Sequence, residues 1–107
     1  MQNIMWHIQT ALDTMWDNME EAREWIEKAH MYRDECPEYA HWCKMMAAGH
    51  MGFLEGGKPY LAKSREMLKA TPEYSAHIGG INLMLDHQLA KIAKHGAEIN
   101  AMIAAYK

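Results

Sequence analysis

The sequence predicts an all-α fold, an antiparallel helical bundle of three long helices and one short helix in a single domain spanning residues 1–107. Valine is absent, phenylalanine occurs once and threonine is sparse. Alanine, methionine, leucine, glutamate and lysine dominate, which is material for helices and not for strands. Apolar residues recur at alternating steps of three and four, and proline and glycine cluster where those patterns stop. The periodic segments are joined by a few residues each, and short connections make antiparallel neighbours.

The first helix is expected from about Asn3 to Arg33. Met5, Ile8, Leu12, Met15, Met19, Ala22, Ile26 and Ala29 form a heptad-like seam along it, with Glu20, Glu21, Glu24 and Glu27 off the seam. The run Asp34-Glu35-Cys36-Pro37 breaks the pattern. Proline disfavours helical geometry in the residue before it and suits the first helical position, so a second helix starts near Pro37. Glu38 then sits at the positive end of that helix dipole. Tyr39, Cys43, Met46, His50 and Phe53 give its apolar line, and Gly56-Gly57-Lys58-Pro59 is expected to end it. A short helix follows over about Tyr60 to Lys69. Thr71-Pro72-Glu73 reads as a fresh cap and first turn. Ile81, Leu85, Leu89, Ile92, Gly96, Ile99, Ile103 and Tyr106 mark the last helix, which Gly79-Gly80 either kinks or begins.

A formal charge of −3 is small and of the wrong sign for a nucleic-acid binder that works through basic patches. No long uncharged apolar run is present, so no membrane span is expected. The stretch "MQNIMWHIQTALDTMW" alternates apolar and polar residues and lacks the basic, apolar and small-residue regions of a signal peptide, which points to a cytoplasmic protein. If both are helical, Cys36 and Cys43 lie about 10 Å apart along the axis, too far to bridge, and are expected as free thiols. Their spacing is also a weak metal signal.

The segment "AAGHMGF" (residues 47–53) raises the main question of chemistry. Glycine inside a helix costs about 1 kcal/mol relative to alanine. Two of them, Gly49 and Gly52, flank His50. Either the glycines allow a close helix approach beside a packed core histidine, or His50 is a ligand facing carboxylates of a neighbouring helix; a misjudged helix phase would instead leave it at the surface. Among the other histidines, no pair forms the two-histidine helical motif of zinc hydrolases. Glu27 and His30 match a Glu-x-x-His step in letters, but Glu27 lies on the solvent side of the seam. Met5, Met15, Met19, Met45, Met46 and their counterparts read as adaptable core or as a partner-binding surface. Trp6 and Trp16 lie off the strict seam, which suggests a second buried face on the first helix and favours self-association.

The stretch "EEAREWIEKAHMYRDECPEYAHWCKMM" resembles a family of small ferritin-like helical proteins common in bacterial and prophage genomes. The likeness lies in an acidic, aromatic first helix ending in Tyr32-Arg33, a helix start at Pro37-Glu38, and a closing helix like "KHGAEINAMIAAYK". It covers residues 20–54 and 81–107 and implies a ferritin-like architecture and a prophage-type gene. In that family the second helix carries a Glu-rich step ending in Arg-His, like a ferritin metal motif. Here His50 falls at the glutamate and Phe53 at the histidine of that step. Glu24 and Asp86 are the nearest matches to the acidic positions. The resemblance therefore supports the fold and not the metal site.

The expected function is that of a non-enzymatic, self-associating helical protein with a structural or interaction role and no cofactor. The alternative is a ferritin-like metal-binding or redox protein, with iron held by a degenerate site of Glu24, His50 and Asp86. A homo-oligomer is the expected assembly, and an adaptor gripping another protein through its Met and Trp surface is the third reading.

Overall fold

A computed structural model describes residues 3–107. Residues 1 and 2, the first two of the stretch read above for a leader, lie outside the described part. The chain forms three long α-helices, α1 (Ile4–Tyr32), α2 (Pro37–Lys69) and α3 (Ile78–Ala105), with a 3-10 turn at Pro72–Tyr74 between the last two. No strand occurs among the described residues.

Helix α1 follows its predicted seam. Asn3 caps it by accepting a 2.9 Å hydrogen bond from the Trp6 N–H. Ile8, Leu12, Met15, Met19, Ala22, Ile26 and Ala29 are all buried, with Ala11 beside them. The seven-residue spacing of Ile8, Met15, Ala22 and Ala29 is that of a coiled coil. Helix α2 begins at Pro37 as expected.

The structure corrects the sequence reading in the rest of α2. The Gly56-Gly57-Lys58-Pro59 stretch does not end the helix, and the short helix expected over Tyr60 to Lys69 is its final part. None of the described glycines adopts the positive φ of a helix stop. Ala40, Ala47, Leu54, Leu61 and Leu68 continue one heptad through Pro59, each at most 2% exposed. Burying Leu61 and Leu68 favours continuation by roughly 1.5–3 kcal/mol each, which offsets the roughly 3 kcal/mol disfavour of an internal proline. The buried line thus runs one residue away from the one expected. Cys43 is on it, whereas Tyr39 and Phe53 are exposed, Phe53 at 72%.

Side-chain pairs fix the topology. His7 meets Tyr60, Asn18 meets His50 and Trp25 meets Trp42, so α1 and α2 are antiparallel. Trp16 pairs with Gln88 and Arg23 with Glu98, so α3 runs parallel to α1. Arg65 bonds Asn82 and pairs with Asp86, which sets α3 antiparallel to α2. Near the four-residue α1–α2 connection, Ala22, Ala29, Ala40 and Ala47 are all completely buried, and their small side chains let the two axes approach. At the same end Tyr106 is buried beneath α3, its ring edge-on to His30 and flanked by the cations of Arg33 and Lys44.

The glycine that makes a tight contact is Gly57. A Cβ there would sit 3.2 Å from Met15 Cγ, and one at Gly96 would sit 3.6 Å from Met51 Cε. At Gly49 and Gly52 it would meet nothing within 4 Å, so the close approach expected there does not occur within the chain. Gly57→Leu is therefore expected to overpack the α1–α2 contact and lower stability by about 1–3 kcal/mol in urea unfolding. An unchanged midpoint would show that Met15 moves aside freely.

Candidate interaction surface

His50 projects from α2 towards α1 and is partly buried, not part of the apolar seam. Its Nδ1 lies 2.9 Å from Asn18 Oδ1, and Asn18 Nδ2 donates to the Thr14 carbonyl at 3.0 Å. Because the Asn18 amide nitrogen is already the donor to Thr14, Oδ1 must accept, and His50 carries its proton on Nδ1. The group is a side-chain bridge between α1 and α2.

The other residues singled out for a metal have different partners. Asp86 pairs with Arg65 at 2.9 Å, on the α2–α3 side of the bundle. Glu24 is exposed on α1. Glu27 is exposed as well, while His30 Nε2 lies 2.9 Å from the Met102 carbonyl and so donates to it. Among the described residues no three histidine, cysteine, aspartate or glutamate side chains gather where they could hold an ion. Glu24, His50 and Asp86 are not gathered into one such cluster within the chain. Cys36 and Cys43 are free thiols, exposed and buried respectively.

What the surface does carry is apolar and aromatic area. At the hairpin end, Trp25 packs edge-on to Trp42 with centroids 5.0 Å apart. Trp42 stacks on Tyr39, and Tyr39 meets Tyr32. The Lys28 ammonium lies 4.8 Å from the Trp25 ring centre. Cys43, one turn along α2, raises the Tyr39 phenol above its ordinary value, chiefly through a side-chain hydrogen bond and then through burial. Tyr39 is thus a neutral phenol at physiological pH and not a base.

At the opposite end an open groove of about 370 Å³ lies between α1 and α3. Ile8, Leu12, Trp16 and Leu85 are on its walls, and Trp16 Nε1 donates to Gln88 Oε1 across it at 3.2 Å. Met84 lines the rim at 71% exposure. Trp6, expected on a second buried face of α1, is about half exposed, while Trp16 and Trp25 pack against the core.

The whole shape is extended. Cα extents are 58 × 26 × 15 Å and the radius of gyration is 17.0 Å, against about 13 Å for a compact domain of this length. The accessible surface is 6994 Å², against about 6,100 Å² for a monomer of this mass. The chain matches no protein-family model, no curated protein and no solved structure.

The exposed apolar face of α2 is hidden in the sequence because Tyr39 and Phe53 have the size and spacing of core residues. The signal that locates it is the alanine and leucine heptad, since fixing that line inside places Met45, Gly49 and Phe53 outside.

Proposed function

We propose that this chain acts as a self-associating helical protein with a structural or interaction role, not as an enzyme. The observation that carries the reading is the surplus surface, roughly 900 Å² beyond a compact monomer of the same mass, together with exposed Trp42, Met45 and Phe53 on α2. One side of a standard protein interface buries about 800 Å². Apolar exposure of this kind marks association sites. The assembled form is read as a ferritin-like bundle of prophage type, to which each chain contributes three helices, working in the cytoplasm. Among the described residues no helix is long and apolar enough to cross a membrane.

Light scattering coupled to size exclusion, with elemental analysis of the same peak, tests the proposal. The expected result at micromolar concentration is a homo-oligomer without stoichiometric iron or zinc. The mass of one chain at every concentration overturns self-association. One or two metals per chain, lost in His50→Ala, would favour the ferritin-like metal-binding alternative. A second protein retained in stoichiometric amount would favour the adaptor reading.

A further inference from the structure

Helix α2 carries a second apolar line that the chain itself covers only at its edge, where Trp42 meets Trp25 and Tyr60 meets His7 of α1. Trp42, Met45, Gly49, Phe53, Gly56 and Tyr60 follow one another at steps of three and four on the side turned away from Ala47, Leu54 and Leu61. The four large side chains are exposed, from 47% at Tyr60 to 72% at Phe53. Between them the backbone is bare, because a Cβ at Gly49, Gly52 or Gly56 would meet nothing within 4 Å. A helix has no conformational reason to place three glycines on an open face, while close approach of a second helix gives them one.

We propose that this face is the contact between two copies of the chain, with their α2 helices crossing antiparallel near Gly52. The inference rests on the self-association reading and adds the surface that mediates it. The face is self-complementary in that orientation, as a two-fold contact requires. A crossing centred between Gly52 and Phe53 faces Gly49 with the second copy's Gly56, Met45 with its Tyr60, and Trp42 with its Lys63. Phe53 then lies over the bare backbone at the second copy's Gly52. Antiparallel packing also opposes the two helix dipoles. The surplus surface is also what one side of such a contact needs.

Gly52→Lys tests it by light scattering across a dilution series. Lysine suits an exposed helix better than glycine, so the free chain keeps its helicity. The mass is expected to fall to that of one chain, with dimerisation weakened about 100-fold or more by a charge at the centre of the contact. Leu83→Lys on α3 is expected to leave the dimer intact. As a second measurement, Gly52→Cys in a Cys36→Ser background is expected to cross-link into a dimer under mild oxidation, and Leu83→Cys in the same background is not. A wild-type oligomer that survives Gly52→Lys, or the absence of a cross-link at position 52, overturns this surface and leaves self-association standing. A wild-type chain that is monomeric throughout overturns both.

Discussion

Replacing Leu61 with alanine is expected to lower stability by about 2–4 kcal/mol. Leu61 is 1% exposed and lies beyond the Gly56-Gly57-Lys58-Pro59 stretch, on the same heptad as Ala47 and Leu54. It shares a shallow cleft with Leu89 and Ile92 of α3, so its loss weakens the α2–α3 contact. A chain of this size has about 5–15 kcal/mol in total, and the change is a large part of it. Urea unfolding followed by helicity measures the loss. A change below about 0.5 kcal/mol, the range of ordinary surface substitutions, would mean that Leu61 is not a core residue.

Pro59→Ala is expected to move stability the other way, by about 1–2 kcal/mol. Inside a helix, proline has no N–H to give to the carbonyl four residues back and its ring crowds that carbonyl. Position 59 is interior to α2, so alanine restores the hydrogen bond to Glu55. The gain is reduced because alanine leaves the unfolded chain freer than proline does. The sign is informative. If the helix instead ended at Gly57 and restarted at Pro59, proline would occupy the favourable first position and its removal would destabilise the fold. The same urea titration reads either outcome.

These two substitutions bracket the place where sequence and structure part. Helix α1 was legible residue by residue because its seam is made of large apolar groups with glutamates on the other side. The start of α2 was legible because proline and an acidic first turn are local signals. The end of α2 was not, because Gly-Gly-Lys-Pro is a strong local breaker and the opposing influence is tertiary. Leu61 and Leu68 stabilise the helix only once α1 and α3 are in place to bury them. The phase of α2 was misread for a related reason. Tyr39 and Phe53 look like core by size, but the hairpin closes on Ala40 and Ala47, and a wide ring cannot stand where two helix axes approach. The His50 bridge was legible only as a candidate, since its partner Asn18 is 32 positions away and no pattern links them. Glu24 and Asp86 are suggested by resemblance alone, and the packing does not gather them with His50 into one cluster.

Correcting the phase also gives Gly49 and Gly52 a different meaning. They do not serve the α1–α2 crossing, where Gly57 has that part. They lie on the outward face, where an isolated chain would be better served by alanine. The proposed self-association would account together for the glycines, the exposed rings and the extended shape.

Thermal unfolding measured across a wide range of protein concentration tests that claim most directly. Association stabilises the folded state by mass action, so the melting temperature of an oligomer rises with concentration. The expected result is a Tm that climbs steadily with the logarithm of concentration in the wild type and is lower and flat in Gly52→Lys. A wild-type Tm independent of concentration, with the mass of a single chain at both ends of the range, would contradict the account.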